Sequence, residues 1–471
     1  MDITTTTTTT IASTTTAAAA AEERDGGGGV RRVRLLDLAS AAVACTVAAS
    51  RKICKIAEPL AMMTTETTIE TTTTTTTVDD DTKNSNNNSN NSNNNDSITD
   101  NKNTREKDDG SFVTDADFAA QGIIFQSLKA VCPDVRIIGE ESPEEMQQHM
   151  DPEFVVDGEL YQRTRTELRM RYHKIRPPAT KDHNDNDDSG NDINDNNTYP
   201  LATVVTTDPL EGGHDDDDDD DDWEYYVDNN IVDLENDPEE TLIDISRVSC
   251  IIDPLDGTRS YARGEYDVVS ILICILVDDQ PYFGVIGKPF GYAGLPRIRS
   301  SGCCAVYGGP FLDGVYVAGG DPVVASPLVR DGASPDSLPR AVISSSRSQG
   351  IVHDFCAVMG AHGLVSPDPM LISGAGEKSM RLILQRNNEA VWFFPKPGTS
   401  LWDVAAPDAL LRSLGGKLTD KNGELMDYSK SREEAENVDG LVACIDASLH
   451  EECIQLFKNW EHKERGGGGS S

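Results

Sequence analysis

The stretch Ser249–Asp279 reads SCIIDPLDGTRSYARGEYDVVSILICILVDD. Its apolar opening and its second run, Val268 to Val277, are rich in β-branched residues and predict strands. Between them, Asp253-Pro-Leu-Asp-Gly-Thr258 puts two carboxylates and a hydroxyl into six residues where a strand leaves the core. Asp, Pro and Gly also make ordinary turns, so the segment alone admits either a turn or a site.

Outward from it, DVVSILICILVDDQPYFGVIGKPF predicts two strands turning at Asp278-Asp279-Gln280. Upstream, DADFAAQGIIFQSLKAVCP predicts a helix and VRIIGEES a strand ending in acids. Downstream, RAVISSSRS, IVHDFCAVMGAHG, PMLISGAGEKSMRLILQ, EAVWFFPKP and WDVAAPDALLRSLGGKLTD continue the alternation. Helices layered on sheets, an α/β fold, follow from this order. Near the start, Val33, Leu36, Ala39, Val43 and Val47 have helical spacing and predict an amphipathic helix over 30–59.

The chain has 471 residues, 37% hydrophobic, and a net charge of -39, too polar for one compact globule. More than half of that charge lies between Lys181 and Ser246, with 24 acidic residues against one basic. Such a composition cannot bury enough apolar surface to offset chain entropy. The expected organisation is a disordered tail over 1–29, the helix over 30–59 and a Thr/Asn-rich insert over 60–104. An ordered part follows over 105–143, then an acidic low-complexity insert over 144–246. A second ordered part spans 247–335, a third spans 336–465, and a flexible tail ends the chain at 466–471. The run Asp215–Asp222 reads as a solvated, self-repelling loop, since it lacks the alternating ligands and Gly turn of a calcium loop. The sequence names no partner for it.

An acidic chain without Lys/Arg clusters is not expected to bind a nucleic-acid polymer or an anionic membrane, which leaves small phosphorylated compounds in a local basic pocket. The ten cysteines are scattered, with no CxxC, and predict buried reduced thiols in a cytoplasmic setting. The longest early apolar stretch, Leu38 to Ala49, is well short of the roughly 20 residues of a spanning helix.

Acids stand at the ends of apolar segments in four places: Asp117, Glu140-Glu141, Asp253/Asp256 and Asp403. Carboxylates gathered from several element ends can hold hard divalent cations such as magnesium. The same acids can instead be separate helix caps and turns, and spacing leaves both open.

In this order, VTDADFAAQ, IIGEES, IIDPLDGT and LWDVAAPDALLRSLGG resemble the magnesium-dependent, lithium-sensitive phosphatases that include inositol monophosphatase, fructose 1,6-bisphosphatase and 3'(2'),5'-bisphosphate nucleotidase. The resemblance covers most of the chain outside the low-complexity tracts and implies a layered αβαβα sandwich. It implies two or three Mg2+ ions on Glu140, Asp253, the Leu255 carbonyl, Asp256 and Asp403, in a metal-site lobe formed by 105–143 and 247–335, with 336–465 as the substrate lobe. Glu141, beside Glu140, is read as a ligand of a third, weaker metal, the alternative being a residue that faces solvent. Asp117 and Thr258 would position and deprotonate the attacking water, and Gly257 would allow close backbone approach. In the second half, VISSSRSQ is similar to the nucleotidases' TTRSH region and SGAGEKSMRL to their GGAGNK segment. This assigns Ser346, Gln349, Gly374 and Lys378 to the substrate, Lys378 to its second phosphate, and Arg263-Gly264-Glu265 to the nucleotidase pattern. Gln349 stands where the nucleotidases carry a histidine, and GAGEKS is close to the GAGYKS of inositol polyphosphate 1-phosphatase. The resemblance therefore implies hydrolysis of the 3'-phosphate of adenosine 3',5'-bisphosphate and possible use of 3'-phosphoadenylyl sulfate. An inositol phosphate phosphatase is the alternative, and an inactive nucleotide-binding scaffold is the alternative of another class.

Overall fold

The computed structural model describes residues 31–71, 104–106, 112–147, 158–175, 242–299, 301–310, 312, 314–320, 322–330 and 337–467. The tail over 1–29, most of the Thr/Asn-rich insert, the Asp215–Asp222 run and residues 468–471 lie outside them.

Two sheets carry the fold. The first has six strands in sequence order: β1 (Arg136–Gly139), β2 (Val248–Asp256), β3 (Ser270–Val277), β4 (Gln280–Lys288), β5 (Cys304–Gly308) and β6 (Val315–Val317). Only the β1–β2 pair is parallel; the rest pair antiparallel. The second sheet contains β7 (Arg340–Ser344), β8 (Met370–Ile372), β9 (Glu389–Phe394), β10 (Lys417–Thr419) and β11 (Leu441–Cys444), in the order β8-β7-β9-β11-β10. Here β7 runs parallel to β8 and β9.

Helices α1 (Leu35–Thr71), α2 (Asp115–Val131) and α3 (Gly158–Ile175) form one outer layer, with α1 against the first sheet. After the short α4 (Thr258–Ala262) and α5 (Ile351–Ala361) come α6 (Ala375–Leu384) and α7 (Leu401–Ser413), which lie between the sheets. The final helix, α8 (Ala447–Gly467), packs on β11 and beside α5. The order helix, sheet, helix, sheet, helix is the αβαβα sandwich. Among the described residues, no helix is long and apolar enough to cross a membrane.

The run SILICILV of β3 has no polar alternation because both its faces are covered. Ile271, Ile273 and Ile275 join the core under α1 and α2, while Leu272, Cys274 and Leu276 join the core beneath α7. The turn to β4 falls at Asp278-Asp279, both with positive φ (51° and 58°), a conformation that fits the twist of a two-residue hairpin. On β4, Gly284 and Gly287 let helices approach from opposite sides: a Cβ would lie 2.5 Å from the Ala406 carbonyl oxygen of α7 at one, and 2.3 Å from Thr46 Cγ2 of α1 at the other.

Two elements differ from the sequence reading. The first helix begins at Leu35, after a short strand Arg32–Arg34, and runs to Thr71. Within the stretch read as an acidic insert, Gly158–Ile175 is helical and Leu242–Asp244 pairs with Arg32–Arg34. Leu160, Tyr161, Thr164 and Leu168 are buried on α3, with Leu160, Thr164 and Leu168 at i, i+4, i+8, a pattern thinned by the many charged, mostly basic, residues between them. Arg165 Nε donates to Asp37 on α1 at 2.5 Å, and Glu167 accepts from Tyr307 OH at 2.6 Å and from the Gly319 amide at 3.0 Å. These polar bonds tie α3 to α1 and to the sheet edge.

Candidate active site

The parallel pairing of β1 and β2 sets Gly139 opposite Ile252, and the Glu140 amide bonds the Ile252 carbonyl at 3.3 Å. Glu140 and Asp253 therefore leave neighbouring strands at the same end. Asp253 and Asp256 are three residues apart, which on a regular strand would aim them at opposite faces. The β2–β3 register shifts between them, Asp253 facing Leu272 and Asp256 facing Ser270, so one extra residue is accommodated. This bulge re-aims Asp256 toward Asp253.

Asp403 is the third residue of α7, and its Oδ2 accepts from the Ser400 amide at 2.6 Å in a capping box. Asp117 has the same place in α2: its Oδ2 accepts from the Thr114 amide at 2.8 Å and hydroxyl at 2.5 Å. Asp117 and Asp403 are thus both helix caps, and Asp403 is at the same time one of a group of clustered carboxylates.

Carboxylate oxygens of Asp253, Asp256 and Asp403 all lie within 4.8 Å of one another. Asp253 is 2% exposed, and its proton affinity is pushed up by burial and then by the charges of Glu140, Asp256, Asp403 and Asp117. Burial and the Asp256 charge push Asp403 up to about 6. Burial also raises Asp256, opposed first by the Lys378 charge and then by the amides of Ala375 (2.9 Å) and Gly376 (2.8 Å). Carboxylates crowded in a buried place repel one another until a cation joins them, so an all-oxygen cluster of this kind fits hard divalent ions such as magnesium.

Beside the cluster, Thr258 Oγ1 lies 3.0 Å from Asp117 Oδ1 and 2.9 Å from the Leu255 carbonyl oxygen, with one proton to give. Burial pushes Asp117 up to about 7, against the hydrogen bonds from Thr114. Gly257 has φ of 89° and Gly374 φ of 76°, where glycine is favoured. A Cβ on Gly374 would also lie 3.0 Å from Asp256 Oδ2 and 2.8 Å from the Val268 carbonyl oxygen.

Lys378 is 6% exposed; Nζ donates to the Gly374 carbonyl at 2.6 Å and stands 5.2 Å from the centre of the Trp392 ring. Its charge acts on Asp256 and Asp403, and burial lowers its own proton affinity to about 8. Ser346 and Gln349 are exposed in the loop after β7. Glu141 is buried and its charge acts on Asp117. Arg263, Gly264 and Glu265 form an exposed turn after α4, where Glu265 accepts from Ser260 Oγ at 2.9 Å. Trp402 packs on the core.

Sequence reasoning missed Gln121, whose side chain donates to the Glu141 carbonyl at 2.7 Å and accepts from the Glu141 amide at 2.9 Å, pinning the acidic corner to α2. It also missed Lys288, which is buried and reaches Glu377 Oε2 at 2.9 Å and the Asp267 carbonyl at 2.8 Å behind Asp256. Lys396 was missed as well, and Arg347, although inside the VISSSRSQ segment, was not singled out. No local pattern marks Gln121, Lys288 or Lys396.

Residues 232–461 match the profile of the inositol monophosphatase family. The chain is 32% identical over 237 residues to 3'(2'),5'-bisphosphate nucleotidase 1 of Dictyostelium discoideum, covering 49% of this chain and 70% of that one. It is 31% identical over 190 residues to the human protein of that name, covering 38% of this chain and 52% of that one. Identity to inositol monophosphatase 3 of Danio rerio is 28% over 240 residues, 48% of this chain and 61% of that one. The chain belongs to the inositol monophosphatase family. Metal-dependent hydrolysis of phosphoric monoesters is the general chemistry of that family.

Proposed function

We propose that this protein is a magnesium-dependent phosphomonoesterase that removes the 3'-phosphate of adenosine 3',5'-bisphosphate, giving AMP and phosphate, with 3'-phosphoadenylyl sulfate as a further substrate. The observation that carries the reading is the Asp253–Asp256–Asp403 cluster, its first two members buried, with the Asp117–Thr258 pair beside it. The nucleotide is favoured by the 32% identity to a bisphosphate nucleotidase.

In this reading Glu140, Asp253, the Leu255 carbonyl, Asp256 and Asp403 hold two magnesium ions, and Glu141 contributes to a third. Bound there, magnesium supplies positive charge that stabilises the phosphoryl and leaving-group oxygens and acidifies water. Thr258 Oγ1 orients the attacking water and takes its proton while giving its own hydroxyl proton to Asp117 Oδ1, the oxygen not engaged by Thr114. A carboxylate whose proton affinity is raised toward neutrality is suited to that task. Gly257 and Gly374 keep the backbone close to the substrate, and Ser346 and Gln349 face the nucleoside. Lys378, read from the sequence as the contact to the second phosphate, is here assigned to the reacting phosphate instead, because it is enclosed by Gly374 with its charge on Asp256 and Asp403.

The test compares kcat/KM on adenosine 3',5'-bisphosphate, inositol 1,4-bisphosphate and inositol 1-phosphate with one enzyme preparation in magnesium. The adenosine compound is expected to lead. A tenfold lead by either inositol compound overturns the nucleotide in favour of an inositol phosphate phosphatase, and no magnesium-dependent phosphate release from any of them leaves the inactive scaffold.

A further inference from the structure

Strands β7 and β9 are parallel neighbours, so the loops that follow them, 345–350 and 395–400, leave the second sheet at the same end. The second loop runs directly into α7, whose third residue is Asp403. Arg347 comes from the first loop and Lys396 from the second. Arg347 Cζ stands 5.1 Å, and Lys396 Nζ 5.5 Å, from the centre of one ring, that of Phe394, which is 1% exposed. Arg347 Nη1 donates to the Gly398 carbonyl, and Lys396 Nζ lies 3.5 Å from the Gln349 carbonyl oxygen. These contacts leave both cations without a carboxylate partner within salt-bridge distance among the described residues. Arg347 is exposed and Lys396 half-buried, yet the charge of Arg347 acts on Asp403 and Lys378. Lys378, by contrast, is enclosed between Trp392, Gly374 and the acidic cluster.

We infer that Arg347 and Lys396 form a second anion subsite at the rim, which holds the phosphate that is not hydrolysed while the other lies at the acidic cluster. This rests on the proposed function for the place of hydrolysis. The ligand class is a small molecule with two phosphates, in the proposed substrate the 5'-phosphate. A guanidinium and an ammonium brought to one aromatic ring from adjacent loops give a dianion two charge-assisted partners, and neither must first give up an ion pair.

Stems over Phe394 could serve packing alone, so the test removes charge and keeps the stem: Arg347→Met, Lys396→Met and the pair, with Arg347→Lys as the charge-retaining variant. The readout is the ratio of kcat/KM on adenosine 3',5'-bisphosphate to that on adenosine 3'-monophosphate, which lacks only the second phosphate. Each Met variant should lower this ratio by about ten- to a hundredfold through KM for the bisphosphate, and Arg347→Lys should retain more of it. Equal losses on both substrates, or an unchanged ratio, overturn the subsite and leave the proposed reaction standing. Should the parent enzyme hydrolyse inositol compounds instead, the nucleotide reading fails. Inositol 1,4-bisphosphate against inositol 1-phosphate in the same variants then tests the subsite separately. If Arg347→Met does not fold, Lys396→Met and Arg347→Lys give the same readout.

Discussion

Asp253 sits among four other carboxylates, and its Oδ1 accepts the Leu255 amide at 3.0 Å. Asparagine keeps that acceptor and nearly the same volume but removes the charge, so Asp253→Asn separates electrostatics from shape. Without divalent ions the parent bears the mutual repulsion that raises this carboxyl, and relieving it should raise the thermal midpoint of the variant above that of the parent. With magnesium the order should reverse, because the parent alone keeps the full set of charged ligands. Turnover should fall by at least about a hundredfold, since such a site contributes several kcal/mol to the reaction. Scanning calorimetry in EDTA and in magnesium, beside a phosphate-release assay, checks both halves; a variant that keeps near-normal turnover and the same metal-induced stabilisation as the parent removes Asp253 from the site. Lys288 and Glu377 are the matching buried pair of opposite sign, and Glu377 also accepts from Arg381 Nε at 2.9 Å. They brace the start of α6, whose first amides hold Asp256.

At the scale of elements, β2, β3, β4 and the helices α2 and α7 were legible because burial on both faces writes an unbroken apolar run, and an N-terminal Thr or Ser with Asp three residues on writes a helix start. The β2 bulge was not legible: its Pro254 reads as a turn, and only the register with β3 reveals the extra residue. Nor was the convergence of Asp403 with Asp253, which depends on α7 lying between sheets built from distant segments. Helix α8 offers a test of packing that the sequence did not suggest. Its His450 is 3% exposed and its Nε2 lies 2.9 Å from Thr419 Oγ1 on β10. Burial, helped by the Lys417 charge and opposed by Glu451, pushes this histidine down to about 4. The unfolded chain therefore takes up a proton between roughly pH 6.5 and 4 that the folded chain refuses, and stability is lost as pH falls through that window. His450→Gln carries no titrating ring and can still bond Thr419. From pH 7 to pH 4.5 the parent should lose about 2 kcal/mol more unfolding free energy than this variant, measured by urea denaturation. A parent–variant difference that is the same at both values removes His450 as the source.

For the whole molecule, the carboxylates that follow β1, end β2 and open α7 act on one another and the charge of Arg347 reaches Asp403, while more than half of the chain's net negative charge is carried between Lys181 and Ser246. Composition marked the low-complexity tracts, but α3 and the short Leu242–Asp244 strand fell inside the stretch 144–246 read as one acidic low-complexity insert. Both belong to the folded body: Arg32 pairs with Asp244 and Arg34 with Leu242, and Arg165 meets Asp37. A deletion meant to remove only the acidic stretch should therefore stop before Leu242. Replacing residues 181–241 by a short Gly/Ser linker takes away a segment too poor in apolar residues to add core, and the entropy of closing a loop changes only slowly with its length. Such a variant should keep its thermal midpoint within a few degrees, and kcat and KM for the bisphosphate within about twofold. Extending the deletion through Ser246 should cost more, because it also removes the partner of Arg32–Arg34 and the 3-10 turn Ile245–Arg247 that leads into β2. Purified 181–241 deletion protein with an unchanged midpoint but less than a tenth of the parent's turnover would overturn this division and make the acidic segment part of the active site.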